Sequence, residues 1–316
     1  MKFLFISPRF SGGIGGHATM LANQLEKHGH DVTKMQTPHI PIKNLKNPSF
    51  AILGALKGIV NRDDYDIVHA FNVPSAFAMR YANGRKKVLS IHGVFSDQVK
   101  SLHSSTLSSI ASSTESKVLK WADALTTDSK ISQKIYKEKF GFNFEHLVSA
   151  IDSQKLDTIP DVQTTEKQII YLGRDSHEKG IDILKKIESK LNAKVIYCTN
   201  LSWESAMIQL KQSSLLVVPS RMESLPTNIK EAFYLKIPVI GTNVGGVPEL
   251  ISDNQTGFLV PPNNPEFLCK KINELLTDSK KLKQVSDTAF EFITKNLTWD
   301  VVVLKYLKFY DCLIDS

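Results

Sequence analysis

LLVVPSRMESLPTNIKEAFYLKIPVIGT, residues 215–242, decides how this chain folds. Leu215–Val218 is a short, unbroken apolar run, the mark of a strand buried on both faces. Pro219-Ser220 ends it. Pro226 suits the first turn of a helix, where its missing N–H would have had no partner anyway. A helical stretch, Pro226–Leu235, follows, and Pro238–Gly241 is the next strand. A loop that runs from the carboxyl end of a buried strand into a helix N-terminus is a ready anion site for a diphosphate. Two carboxylates frame it, Glu223 in the loop and Glu231 eight residues on, inside the helix. A carboxylate accepts two hydrogen bonds at charge-assisted strength, which suits sugar and ribose hydroxyls. Two glutamates alone read as readily as solvent-facing residues.

The same alternation of short apolar runs and longer amphipathic stretches extends to both ends, as it does in a parallel sheet covered by helices. Strands read at Lys2–Ser7, Asp31–Met35, Asp66–His69, Val88–Ile91 and Ala124–Thr127. Helical patterns lie from about His17 to His28 and near 50–60, 75–82, 105–121 and 129–139. The serine-rich stretch Ser101–Ser116 keeps Leu102, Leu107, Ile110 and Val118 at helical spacing. A polar break at Asp152–Thr165, carrying Pro160, reads as a linker. The order then restarts with strands Gln168–Gly173 and Lys194–Cys198 and helices Ile181–Leu191 and Ser202–Lys211; three helical stretches follow Pro265. The expectation is an α/β protein of two Rossmann-like domains facing across a cleft, residues 1–160 and 161–296. A final helix, 297–316, would return to the first domain. Trp299, Val302, Tyr306 and Phe309 fall on its one apolar stripe.

Composition bounds the function. A chain of 316 residues, 42% hydrophobic and 22% charged, suits two ordinary globular domains. No run of about 18 apolar residues occurs, so no membrane-spanning helix is expected. MKFLFISPRF is too short in its apolar part for a secretory signal and reads as a first buried strand. Cys198, Cys269 and Cys312 are scattered and lack CxxC spacing, which argues against a disulfide framework or structural zinc and suits the cytoplasm. Residues 1–150 hold 19 Lys and Arg against 11 Asp and Glu, and the remainder 20 against 21. A basic first half points to an anionic partner, or else to a merely soluble surface; only Arg85-Lys86-Lys87 is clustered. Nucleic acid fits poorly, because aromatics are not interleaved with the charge. An anionic membrane or a lipid-phosphate acceptor at its inner face remains.

Residues 218–262, VPSRMESLPTNIKEAFYLKIPVIGTNVGGVPELISDNQTGFLVPP, closely resemble the donor-binding block of the family 4 retaining glycosyltransferases. That family carries P-S-x-x-E opening an E-x7-E motif, then P-V-I/V-x-T, G-G-x-x-E and T-G-x-L-V-x-P, all present here in order. Upstream, YLGRDSHEKGID (residues 171–182) resembles its G-R-x4-K-G segment. The resemblance implies Arg174 and Lys179 on the donor diphosphate, where two cations would stabilise charge that grows as the glycosidic bond breaks. It implies Glu223, with the following Ser224, Leu225, Pro226 and Thr227, on the donor sugar, and Glu231 on ribose. SPRFSGGIGGHATM resembles the family's glycine-rich first loop, placing Gly12 and Gly13 near phosphate or acceptor and His17 nearby. LSIHGVFSD resembles the segment whose histidine, here His92, reaches the donor sugar; His69 reads as structural. The implied activity is glycosyl transfer from a nucleoside-diphosphate sugar to a glycan or lipid-linked acceptor, with retention of configuration. The nucleotide sugar is a substrate, and neither cofactor nor metal is expected.

The resemblance covers nearly the whole chain with one gap. Between Tyr197 and Trp203 the family's glycine-bearing loop, helix and strand are missing, which removes a βα unit and the nucleobase contacts it would make. Asp64-Tyr65-Asp66 spells D-x-D, a metal signature of a different architecture, but stands here as strand-entry sequence. The glycine spacing does not fit a dinucleotide fingerprint, and the second strand ends in Gln36 rather than an acid. A sugar-nucleotide epimerase or a non-catalytic nucleotide-sugar-binding protein of the same fold are the rivals.

Overall fold

Phe3, Leu4, Phe5 and Ile6 are all fully buried, as a strand flanked by strands on both sides and helices on both faces requires. The computed structural model describes residues 1–10, 13–37, 46–93 and 105–316. Two compact units divide the chain, Met1–Ser149 with Asp300–Ser316, and Ala150–Trp299.

The first unit runs β1 (Lys2–Ser7), α1 (Gly13–Lys27), β2 (Asp31–Gln36), α2 (Lys46–Val60), β3 (Tyr65–Ala70) and α3 (Ala76–Tyr81). It continues through β4 (Gly84–Ile91), α4 (Ser105–Leu119), β5 (Ala124–Thr127), α5 (Lys130–Phe140) and β6 (Glu145–His146). Among the described residues its sheet has the order β2-β1-β3-β4-β5-β6, every pairing parallel. The second unit runs α6 (Ser153–Asp157), β7 (Gln168–Leu172), a single 3₁₀ turn (His177–Lys179), α7 (Ile181–Ile187), β8 (Lys194–Cys198), α8 (Trp203–Lys211) and β9 (Leu215–Val218). Then come α9 (Thr227–Tyr234), β10 (Val239–Thr242), α10 (Val247–Leu250), β11 (Phe258–Val260), α11 (Pro265–Leu275) and α12 (Ser279–Asn296). Its sheet, order β11-β10-β9-β7-β8, is also parallel. The chain is an α/β protein of two Rossmann-like units. Strand order reverses between β1 and β3 in one sheet and between β7 and β9 in the other, and open parallel sheets bind ligands beyond the carboxyl ends of strands at such points.

The last helix, α13 (Trp299–Asp315), belongs from Asp300 onward to the first unit. Its buried seam is Val302, Val303, Tyr306 and Tyr310 rather than the expected line through Phe309, which is only half-buried. Helical residues drift by 20° per heptad, so the seam moves over by one residue in the last turns. Residues 150–160, read as part of the first half and its linker, cluster with the second unit. Leu156 and Ile159 are buried there, and Thr165 N donates to Gln212 O at 2.8 Å.

The shortened connection is visible. β8 ends at Cys198, and Ser202 already caps α8, its Oγ accepting from Ser205 N at 3.2 Å. The basic triplet also resolves. Arg85, Lys86 and Lys87 lie within β4, where successive side chains point to opposite faces, so they form no single patch. Arg85 meets Asp66 at 3.5 Å, Lys87 Nζ donates to Arg80 O at 2.7 Å, and Lys86 Nζ reaches Ser316 Oγ at 3.2 Å. Among the described residues no helix is long and apolar enough to cross a membrane.

Candidate functional site

At the reversal point of the second sheet, the loops after β7 and β9 are tied together. Arg221 N donates to Glu178 O at 2.8 Å, and the Arg221 guanidinium makes two 2.7 Å contacts to Asp182 and one to His177 O. Those bonds hold the Asp182 carboxyl below its ordinary range. Within this frame Lys179 Nζ donates to both oxygens of Glu223 at 2.8 Å, and Ser220 Oγ donates to Glu223 Oε1 at 2.7 Å. The Glu223 side chain is only 6% exposed and Lys179 25%. Ser220 is fixed in turn through its carbonyl, which accepts from Thr242 Oγ1. The backbone beside Glu223 is packed to the limit: Gly245 has φ +50°, and a Cβ there would stand 1.9 Å from Glu223 O. Only glycine fits.

Arg174 lies farther out, its side chain 74% exposed and paired with Glu178 at 3.0 Å. Thr227 opens α9, and its N-cap, Pro226, offers no side-chain hydrogen bond, which leaves the first-turn N–H groups to other acceptors. Pro226 thus sits one residue earlier than expected. Ser224 is half-buried, Leu225 buried and Thr227 exposed. Asn228 Nδ2 donates to Leu172 O at 2.8 Å, and its Oδ1 is buried without a protein partner.

Glu231 sits deeper on α9, where Trp203 Nε1 donates to its Oε1 at 2.8 Å. Lys155 Nζ stands 3.9 Å from the centre of that indole ring. Burial pushes the Glu231 carboxyl up to about 6, against the opposing pull of Trp203, Lys230 and Lys155. Trp203 is the first residue of α8, placed here by the shortened connection.

In the first unit, Ile91 pairs with Thr127 across β4 and β5, so His92 and Asp128 emerge side by side at the carboxyl ends of neighbouring strands. His92 Nδ1 lies 3.1 Å from Asp128 Oδ2, with both side chains under 10% exposed. A carboxylate only accepts, so Nδ1 carries the proton. The His17 ring centre is 5.3 Å from that of His92, and His17 Nε2 contacts Tyr306 Oη at 3.1 Å. His69, fully buried, bonds Tyr310 Oη at 2.7 Å and Ser90 Oγ at 2.6 Å. Burial above all, then the charge of His92, pushes its pKa down to about 3, so it is neutral and structural. Gly13 begins α1 with φ +25°, while Gly12 lies outside the described residues.

Asp66, of the D-x-D sequence, accepts from Lys2 N at 2.8 Å and so ties together the amino ends of β1 and β3. Among the described residues no group of three His, Cys, Asp or Glu side chains could hold a metal ion.

Residues 11–149 match the family described as Glycosyltransferase Family 4, and residues 185–292 match Glycosyl transferases group 1. The chain belongs to glycosyltransferase family 4. It is a glycosyltransferase, and its two parallel-sheet units are those of the GT-B fold. An uncharacterized glycosyltransferase of Methanocaldococcus jannaschii is 24% identical over 96% of this chain and 95% of its own. That alignment spans 370 positions, more than the 316 residues here, so the relative carries insertions this glycosyltransferase lacks. The N-acetyl-alpha-D-glucosaminyl L-malate synthase of Bacillus anthracis is 22% identical over 96% of this chain and 95% of its own. Among solved structures, sucrose-phosphate synthase of Thermosynechococcus elongatus superposes with a TM-score of 0.81 at 15% identity, covering 99% of each chain. HepE of Anabaena, solved with UDP-glucose, gives 0.72 at 16% identity over 99% of this chain and 100% of its own.

Of the residues expected at the donor site, Lys179 and Glu223 are in direct contact, Arg174 pairs with Glu178, Glu231 is bonded to Trp203, and His92 lies in the other unit. Asp128, Ser220 and Trp203 were not foreseen. The serine is part of the P-S-x-x-E motif itself and could have been read from it. The other two owe their places to strand register and to the shortened loop.

Proposed function

We propose that this glycosyltransferase moves a sugar from a nucleoside-diphosphate donor to a glycan or lipid-linked acceptor, with retention of configuration and without a resident metal. The observation that carries the proposal is the Lys179–Glu223–Ser220 cluster at the reversal point of the second sheet, beside the uncapped start of α9. One cation and one carboxylate held 2.8 Å apart suit a ligand that is anionic at one end and hydroxyl-rich next to it. Lys179, Arg174 and the α9 N–H groups hold the diphosphate. Glu223 and the backbone of Ser224–Thr227 take the donor-sugar hydroxyls, and Glu231 the ribose. His92 serves the sugar from the first unit.

In the transfer, the bond from the anomeric carbon to the phosphate oxygen breaks, and a bond to the acceptor oxygen forms on the same face. The acceptor proton passes to the departing phosphate, so no side chain need act as a strong base. Charge on the leaving diphosphate peaks in the transition state, where Lys179 and Arg174 contribute most. HepE binding UDP-glucose supports a sugar nucleotide of this kind. The basic first half supports an anionic acceptor or membrane surface.

The test is incubation with radiolabelled UDP-, GDP- and ADP-sugars, with and without EDTA, and assignment of the product anomer by NMR. Transfer or hydrolysis that keeps the donor's anomeric configuration and survives EDTA is expected. Isomer exchange without transfer would make the protein an epimerase. Loss of activity in EDTA that added Mn²⁺ or Mg²⁺ restores would overturn the metal-free mechanism.

A further inference from the structure

Helix α2 is packed inside out. Four of its large apolar side chains face solvent: Ile52 is 64% exposed, Leu56 56%, Ile59 55% and Val60 73%. They stand at i, i+4, i+7 and i+8, a single stripe on the helix. The opposite face is built from glycine. A Cβ on Gly54 would touch Thr37 and Ala78 side chains at 3.4 and 3.6 Å, and one on Gly58 would stand 2.4 Å from Ala78 O. The helix therefore lies tight against α3 through residues without side chains, while Ile52, Leu56, Ile59 and Val60 point away. Scattered exposed apolar residues are ordinary in proteins, but a continuous stripe is not.

We propose that this face of α2 docks on an anionic lipid bilayer. Residues 46–60 contain two lysines and no acid, and residues 1–150 hold 19 basic against 11 acidic side chains. Lys57 borders the stripe, exposed, with its Nζ donating to Gln36 O at 2.8 Å. An apolar stripe with a lysine at its border and no acid on the helix is the pattern of a helix that lies in the headgroup layer. A second copy of the chain is the poorer occupant. In a two-fold pairing the same patch meets itself. A stripe centred near Leu56 would then bring Lys57 up to its own copy, with no acid on the helix to relieve the repulsion. This surface is independent of the donor site and does not depend on the reading of Glu223 or Lys179. It also differs from the Arg85–Lys87 triplet, whose charges the strand divides between two faces.

The experiment is cosedimentation of the full chain with phosphatidylglycerol and phosphatidylcholine vesicles across a salt series, together with sedimentation velocity without lipid. Wild type is expected to bind phosphatidylglycerol at about 20 mM salt and to be released as screening rises. The triple variant Ile52→Ser, Leu56→Ser, Ile59→Ser should partition at least about tenfold more weakly. Its far-UV circular dichroism should be unchanged, because these side chains are exposed. Lys57→Glu should weaken binding to phosphatidylglycerol and leave phosphatidylcholine unaffected. Wild type that stays in the supernatant at low salt overturns the proposal, as does a triple variant that binds like wild type. A wild-type dimer that the triple variant dissolves would assign the stripe to a second copy instead.

Discussion

Replacing Lys179 with methionine keeps the length of the side chain and removes the cation that holds Glu223. The carboxylate, 6% exposed, then keeps only the Ser220 hydroxyl of its three donated hydrogen bonds. Stranding a buried charge costs about 3–5 kcal/mol. Lys179 itself is 25% exposed, so water can reach that side of the pair, and about 2–4 kcal/mol is the working figure here. For a unit of this size that lowers Tm by roughly 5–15 °C. Glu223→Gln alone loses charge but keeps an acceptor, at about 1–2 kcal/mol. In the double variant no charge is left stranded, so its stability should exceed that expected from the two single losses by about 1–3 kcal/mol. Activity should not recover with it. Lys179→Met should lose about 2–4 kcal/mol of transition-state stabilisation, mainly in kcat, and the double variant at least as much, because the diphosphate still lacks its cation. The assays are urea titration of all four proteins and initial rates with saturating donor. Strictly additive stabilities would refute the coupling, and a wild-type kcat in Lys179→Met would refute the role assigned to the lysine.

The proposed role of Glu231 on ribose uses the ionised carboxylate, the stronger acceptor, and with a pKa of about 6 donor KM should rise as pH falls below 6. Trp203→Phe removes a hydrogen bond that favours the ionised form, so the same rise should begin at higher pH; an unmoved profile would dismiss the indole. Linkage gives the opposite sign for stability. Between the ordinary value of 4.5 and about 6 the folded state holds a proton that the unfolded chain releases, so this group's contribution falls as pH rises through that window. Asp128→Asn should lower kcat about tenfold or more with little change in Tm, and ¹⁵N NMR should show His92 losing its fixed Nδ1–H tautomer. Gly245→Ala should destabilise by about 2–3 kcal/mol in thermal melts, since its Cβ would collide with Glu223 O from a backbone at positive φ.

The fold was legible because most strands hold a short apolar run closed by proline, glycine or a polar pair, and these signals are local. Ala124–Thr127 and Leu215–Val218 both form as read. What failed was information carried between elements. Glu145–His146 is only two residues long and becomes a strand by pairing with β5, so no periodicity announces it. Asp152–Thr165 is polar enough to read as a linker, yet Leu156 and Ile159 find a core in the second unit. The Arg85–Lys87 triplet looked like a patch because sequence adjacency hides the alternation of a strand. At the site, Glu223 and Lys179 came from motifs of fixed spacing. The Asp128–His92 contact depends on the register of two strands 36 residues apart, and Trp203–Glu231 on a loop shortened between them and the sheet. Neither leaves a mark in local sequence.

Tyr306 and Tyr310 complete the polar interior of a unit whose other members all lie before residue 150. During synthesis the first sheet therefore waits for the ribosome to deliver α13. Some 150 residues separate the two parts, about 8–30 s of elongation at about 5–20 residues per second. The second unit, continuous in sequence, has all its residues before that moment and can close first. A chain stalled anywhere between residues 150 and 300 lacks the phenols that meet His17 and His69. The closing helix thus makes native packing of the earliest-made unit depend on residues made some 150 positions later.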